Sequence, residues 1–381
     1  MNTRQRWDIF CTVVDNYGDI GVCWRLARQL AAEHGLTVRL WVDDLEGFAK
    51  LAPQLDPQQD QQQLKHVEIW RWRTPFAETA PAEVVIEAFA CHLPETYIAT
   101  MAAQATKPVW INLEYLSAED WVEDHHSLAS PHPRLPLTKY FYFPGFSLKT
   151  GGLIREAGLI TARDAFQNNP SAHTEWWRGL GADPAPNTLK VSLFAYPTAP
   201  VAPLLQAWSR STTPIFCALP ETPLSAAIAQ ALNADPIRAG TRIVRGNLTL
   251  AGIPFLAQEA YDRLLWACDL NFVRGEDSFV RAQWAAKPLV WQIYPQHDAA
   301  HEAKLEAFIT RYTPEGRLRA GADELTGLWR AWNGRGDPAD AWPAFAAALP
   351  DLTTHARHWA VAQSRLPDLA ANLVKFSQNP L

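Results

Sequence analysis

The stretch WDIFCTVVDNYGDIGVCWRLARQLAAEHGLTVRLWV, Trp7 to Val42, decides the fold. Its first part, Trp7–Val14, is a nearly unbroken apolar and β-branched run, as expected of a strand covered on both faces. A polar, glycine-containing turn follows from Asp15 to Gly21. VCWRLARQLAAEHG then has helical period and stops at Gly35, a residue suited to the left-handed position after a helix. Leu36–Val42 is the next strand. Strand, loop, helix, strand is the opening of a parallel, doubly wound sheet.

Working outward, further strands are expected at Val67–Trp70, Glu83–Phe89, Pro108–Leu113 and Tyr140–Phe146. The Gln-rich piece Pro53–Gln63 reads as a solvated loop or helix. Residues 150–188 turn from sheet-like to turn-rich, which places a domain boundary there. A second α/β series follows, with strands at Leu189–Tyr196, Pro214–Leu219, Leu248–Ile253, Asp269–Val273 and Pro288–Tyr294. After Tyr294 the chain is mostly helix-compatible, with breaks near Pro314, Gly334–Pro338 and Pro350–Asp351. The expected fold class is therefore α/β, two Rossmann-like halves with a helical tail. Ligands of such halves bind where strand C-termini and helix N-termini converge.

Composition agrees. The 381 residues fit two domains, and 48% hydrophobic with 19% charged residues excludes global disorder. A net charge of −6 argues against nucleic acid as a partner, because phosphate neutralisation needs a basic field. Five cysteines, with no CxxC pair, support neither a disulfide framework nor a structural zinc site. The N-terminus lacks a signal-like apolar region and no apolar run reaches 18 residues, so a cytoplasmic protein without a membrane span is expected. Seventeen Trp are an unusual load, serving either an aromatic core or ring-stacking walls.

Three constellations can hold chemistry. Asp15-Asn16-Tyr17-Gly18-Asp19-Ile20-Gly21 lies between the first strand and helix. It lacks GxGxxG, and two carboxylates oppose pyrophosphate, so proton acceptance or the holding of a cationic group suits it better. For Asp19, capping the helix is the competing duty. The second is Arg274-Gly275-Glu276-Asp277-Ser278, where a strand runs into a helix. Backbone amides at that helix start can bind phosphate, Gly275 permits close approach, and Arg274 and Ser278 add donors. A plain strand-to-helix turn with acidic residues in the first helical turn is equally consistent with the spacing. Third, Phe194, Tyr196, Phe255 and Tyr294 fall near strand ends of the second half, where rings can stack on a planar base and Gln258 can bond its edge; core packing is the alternative. Asp43-Asp44 reads as a strand-end turn with capping. His125-His126, His132 and His297/His301 lack a third ligand signal, so surface or structural duty is expected of them.

DNYGDIGVCWRLARQL and DLNFVRGEDSFVRAQWA, with LFAYP, PFLAQEAYDRLLW and WQIYPQHDAAHEAKLEAF, resemble the EarP family, protein-arginine rhamnosyltransferases that modify elongation factor P. The resemblance runs from Trp7 to the helical tail. It implies a GT-B fold, with an acceptor-side domain over residues 1–155, a nucleotide-sugar domain over 185–355, and a C-terminal helix at about 360–381 returning to the first. It implies transfer of L-rhamnose from dTDP-β-L-rhamnose to an arginine of elongation factor P, with inversion and without a metal or other cofactor. Nucleic acid and membrane are not implied as partners. Asp15 and Asp19 become the acceptor-side carboxylates, Asp19 as base and Asp15 as its partner, or the reverse. Tyr17 and Gly18 join the donor-binding set. Phe194, Tyr196, Phe255, Gln258, Tyr261 and Tyr294 surround thymidine and sugar. Arg274, Gly275, Asp277 and Ser278 hold the diphosphate, and Glu276 organises the reacting centre. Position 261 is Tyr where the family suggests Phe, which preserves stacking. The alternatives are a GT-B relative using another sugar nucleotide or acceptor, a nucleotide-sugar epimerase, or a non-catalytic module that binds elongation factor P.

Overall fold

In the computed structural model of the chain, described here for residues 5–15, 17–295, 300–314 and 321–380, two compact units form. The first comprises residues 1–157 and 364–381, the second residues 158–363.

The first unit is an eight-stranded sheet. Its strands are β1 (Arg6–Cys11), β2 (Thr37–Val42), β3 (Gln61–Leu64), β4 (Val67–Arg71), β5 (Val84–Ala88), β6 (Val109–Leu113), β7 (Ala129–Pro131) and β8 (Thr138–Tyr142), in the order β3-β4-β2-β1-β5-β6-β8-β7. The six inner strands run parallel; β3 and β7 are antiparallel edges. The chain builds outward from β1 through β2 to β4, then returns to β5 on the other side of β1. The ends of β1 and β5 are thus a topological switch point, where an open α/β sheet leaves a crevice. Asp8 and Arg39 explain how polar residues sit inside these apolar strands. The register pairs them directly, and Arg39 donates Nε and Nη2 to the Asp8 carboxylate at 2.6 Å each. Tyr97 and the Ala82 amide complete the carboxylate's bonds, so the buried charges are paired rather than orphaned.

The second unit is a six-stranded sheet of β9 (Leu189–Leu193), β10 (Ile215–Pro220), β11 (Arg242–Arg245), β12 (Leu248–Ile253), β13 (Leu270–Arg274) and β14 (Leu289–Gln292). The order β11-β12-β10-β9-β13-β14 has a single antiparallel edge, β11. Its switch point lies between β9 and β13.

The aromatic load is core. Phe10 stacks on Trp41 at 5.5 Å in the first unit, and Trp208, Phe272, Trp332 and Trp342 form an edge-to-face chain in the second. Trp208 and Trp332 are fully buried, and truncating either to Ala is expected to cost about 3–5 kcal/mol.

Several features differ from the sequence reading. The predicted strands at Trp7, Tyr140, Leu189 and Pro288 stop short, at Cys11, Tyr142, Leu193 and Gln292, because the apolar residues beyond them line loops. Gln61–Leu64, expected in a solvated loop or helix, is an edge strand whose ladder needs only backbone groups. No break occurs at Pro350: the helix Pro338–Ser364 runs through Pro343 and Pro350. A buried face of Trp342, Phe345, Leu352, Ala356 and Trp359 outweighs the lost backbone bonds. The second unit begins ahead of residue 185, since Leu159–Gln167 packs on it. Arg163 donates to the Trp284 carbonyl, and Gln167 to those of Trp266 and Ala285. The terminal helix Leu369–Gln378 belongs to the first unit. Asp368 caps it through the Ala371 amide and accepts from Gln29 of the first helix, while Phe376 packs on Tyr140 and Tyr142.

Candidate active site

In the first unit the helix Gly18–His34 starts directly after the loop that leaves β1. Asp19 is not its cap; Tyr17 holds that position without a side-chain cap bond. Asp19 instead reaches back. Its Oδ2 accepts the amides of Val14 at 2.9 Å and Asp15 at 2.8 Å, which fixes the turn carrying Asp15. Tyr115, just beyond β6, donates a further hydrogen bond to Asp19. Asp19 is 2% exposed and Asp15 7%. Burial pushes the Asp19 carboxyl above the usual carboxylate range; the Asp15, Val14 and Tyr115 bonds oppose that shift and the Asp43 charge adds to it. Gly18 leaves room for the Asp15 carboxylate, because a Cβ there would lie 2.7 Å from Asp15 Oδ2. The Tyr17 hydroxyl accepts from Lys50 Nζ at 3.4 Å. Asn16 lies outside the described residues. Asp43 accepts the Val13 and Asp44 amides, and Asp44 caps the following helix through Gly47, so both serve the turn as expected.

In the second unit, adjacent strands β9 and β13 bring together the residues that follow them. The Phe194 amide donates to the Phe272 carbonyl, and the Arg274 guanidinium lies 4.7 Å from the Phe194 ring and 4.4 Å from that of Tyr196. Phe194 also meets Tyr261 at 5.4 Å, and Tyr196 meets Tyr294 at 5.6 Å. Tyr261 is buried, which drives its hydroxyl pKa strongly upward, with the Asp277 charge adding and Ser278 opposing; it stays a neutral phenol. Gly275 holds φ of +59°, a left-handed turn that glycine adopts without strain. Its carbonyl is fixed by Trp291 Nε1 at 2.8 Å. Glu276 then occupies the N-cap position of the helix Asp277–Trp284 without a side-chain cap bond. Ser278 bonds the backbone carbonyl and amide of Arg274, and Gln258 donates to Asp277 at 3.3 Å from the first residue of its own helix. Phe255 is half-buried and follows β12.

Three residues that sequence reasoning missed support these clusters. Gln292 accepts the Tyr196 amide at 2.7 Å. Asp262 takes Arg281 through two bonds, at 2.9 and 2.6 Å, locking the helix after RGEDS to its neighbour. Tyr115 is the third. Asp262 and Gln292 lie within segments that carry the resemblance but drew no role from them, Tyr115 lies in none, and each acts through a partner distant in sequence. The histidines have ordinary duties: His125 Nδ1 faces the Trp121 carbonyl, His126 accepts the Phe143 amide, and His132 accepts those of Arg134 and Leu135. His297 lies outside the described residues. Among the described residues no three His, Cys, Asp or Glu side chains gather as a metal site requires, and no helix is long and apolar enough to cross a membrane.

The family model described as Elongation-Factor P (EF-P) rhamnosyltransferase EarP matches residues 7–378. The protein-arginine rhamnosyltransferase of Pseudomonas putida KT2440 is 50% identical over 379 residues, covering 99% of this chain and 100% of that protein. That of Pseudomonas aeruginosa PAO1 is 48% identical over 370 residues, covering 97% and 98%. A solved structure described as "Structural basis for EarP-mediated arginine glycosylation of translation elongation factor EF-P" superposes with a TM-score of 0.71 at 36% identity, over 99% of this chain and 100% of that one. The spinosyn rhamnosyltransferase SpnG, complexed with thymidine diphosphate, shares the fold at a TM-score of 0.53 and 12% identity, over 98% of this chain and 100% of that one. The chain belongs to the EarP family of elongation factor P rhamnosyltransferases, glycosyltransferases of the GT-B fold.

Proposed function

We propose that this protein moves L-rhamnose from dTDP-β-L-rhamnose to an arginine side chain of elongation factor P, with inversion at the anomeric carbon and without a metal. The observation that carries this reading is the division of chemistry. One switch point holds two buried carboxylates suited to a guanidinium, and the other a ring-and-arginine cluster beside a helix start suited to a nucleoside diphosphate.

A guanidinium has a pKa above about 12, so it is protonated and a poor nucleophile. An ordinary carboxylate cannot deprotonate it beforehand. The proton therefore leaves as the new bond forms. Asp19 and Asp15 hold the guanidinium fork and localise its charge. One nitrogen attacks C1 of the sugar from the face opposite the diphosphate. The C1–N bond forms, the C1–O bond breaks with its electron pair going to the β-phosphate, and the nitrogen's proton passes to Asp19. The raised Asp19 pKa favours that acceptance. Charge on the leaving diphosphate is met by Arg274, Ser278 and the amides of the helix Asp277–Trp284, the work a metal does in other transferases. Phe194, Tyr196, Phe255, Tyr261 and Tyr294 frame the base and sugar, with Gln258 and Asp277 as polar partners. Gly275 lets the backbone approach the phosphates, and Glu276 orients the reacting sugar. Tyr17 and Gly18 belong to the donor-binding set, contributed by the first unit. Elongation factor P and the donor are soluble, which suits a cytoplasmic enzyme.

The test is to incubate elongation factor P with the enzyme and dTDP-β-L-rhamnose in excess chelator and determine the anomeric configuration of the product by NMR. An α-rhamnosyl arginine is expected. A β product, or loss of turnover on chelation that a divalent ion restores, overturns the inverting or the metal-free part.

A further inference from the structure

The parallel order β1-β5-β6 brings three loops side by side at the C-terminal edge of the first sheet: Val14–Asp15 after β1, Phe89–His92 after β5, and Glu114–Tyr115 after β6. The Phe89 amide donates to the Leu113 carbonyl at 2.7 Å, tying the second loop to the end of β6 from which the third departs. Phe89 and Tyr115 then stack face to face, with centroids 4.5 Å apart and planes inclined by 18°. The Phe89–His92 loop has an unusual backbone. Phe89, Ala90 and His92 all adopt left-handed φ, at 56°, 53° and 55°. Such conformations are costly for residues with a Cβ, and at active sites they persist where the surroundings impose them. Here they place the Phe89 ring flat against Tyr115, whose hydroxyl bonds Asp19.

We propose that Tyr115 is a positioning residue for the Asp19 carboxylate in the transfer reaction, held in place by the Phe89 ring. This rests on the reading of Asp19 as the base. The Asp15 and Val14 amides set one edge of the Asp19 carboxylate, and the Tyr115 hydroxyl adds a donor from a different loop. A carboxylate held from two loops has one orientation, which is what a proton transfer concerted with bond formation requires. The other titratable groups around Asp19 are Asp15 on the same loop, Asp43 after β2, Cys11 at the end of β1 and Cys23 on the first helix. The Cys23 contact and burial keep the Cys11 thiol neutral.

Tyr115→Phe keeps the stacked ring and removes only the hydroxyl. It is expected to lower kcat about tenfold, to leave the KM for elongation factor P and the affinity for dTDP unchanged, and to move the acidic limb of the pH–rate profile to higher pH, since a lost donor raises the pKa of Asp19. Phe89→Leu, which frees the ring, is expected to lower kcat in the same direction. A merely structural tyrosine would lower the melting temperature without moving the limb. An unchanged limb and kcat in Tyr115→Phe, with Asp19→Asn inactive, overturns the positioning role alone. Full activity of Asp19→Asn overturns the base assignment and with it this proposal. An undiminished effect of Tyr115→Phe in the Asp19→Asn background shows action by another route and also overturns it.

Discussion

A Cβ placed on Gly18 would lie 2.7 Å from Oδ2 of Asp15 and 3.2 Å from its Cγ. The helix start and the carboxylate thus share a space that a methyl group enters only by displacing the end of the Asp15 side chain. Gly18→Ala would push aside the end of a side chain rather than backbone, and alanine favours the helix by about 1 kcal/mol. The melting temperature is therefore expected to hold or rise while transfer falls at least about tenfold through the displaced Asp15. Thermal unfolding and a rate assay on one preparation separate the two.

Asp19→Asn is expected to lower kcat by about 10²–10⁴ while leaving dTDP affinity intact, as measured by calorimetry. Its stability has a definite sign. The folded-state pKa of Asp19 is raised, so stability is full below the unfolded value near 4 and is lost as pH rises through the folded value. The amide carries no such loss. The melting temperature of the variant relative to the parent is expected to climb as pH rises above about 4; a difference that stays flat would show the carboxylate is not destabilised by its burial.

Arg274 tests the donor side. Its guanidinium carbon lies within 4.7 Å of two ring centroids, and a lysine does not replace a guanidinium beside aromatic rings. Arg274→Lys is expected to weaken dTDP binding about three- to thirtyfold, the worth of one or two desolvated ring contacts, and Arg274→Ala further still. Equal affinity of the lysine variant and the parent by calorimetry would show that charge alone matters.

His126 links the first unit to pH. Burial pushes it down to about 4, and its Nδ1 accepts the Phe143 amide. A lowered histidine contributes stability that is complete above the unfolded value near 6.5 and is lost as pH falls toward 4. His126→Gln, which can still accept that amide, is expected to flatten the stability curve across this window, read by urea unfolding at several pH values.

Much of this was legible in the sequence, for a physical reason. Strands buried on both faces must be apolar runs, so Trp7, Thr37, Leu189 and Leu248 announced their strands. Asp15, Asp19 and the Arg274–Ser278 segment sit in loops directly after such strands, where topology dictates a site. Edge strands such as Gln61–Leu64 and Arg242–Arg245 are half solvated and follow no apolar pattern. The helix through Pro350 depends on a buried face that local rules do not weigh. Tyr115, Gln292 and Asp262 were invisible because their roles are relations: each matters through a residue on another strand, loop or helix.

On the proposed function, carboxylates of the first unit and the Arg274 cluster of the second serve the two substrates of one transfer. The most direct measurement is the intact mass of elongation factor P after incubation with the enzyme and dTDP-β-L-rhamnose, beside parallel reactions with Asp19→Asn and Arg274→Ala. A gain of one deoxyhexosyl residue is expected with the parent enzyme, no gain with Asp19→Asn, and a gain with Arg274→Ala only at raised donor concentration. An unmodified mass with the parent enzyme, or full modification by both variants at low donor, would contradict it.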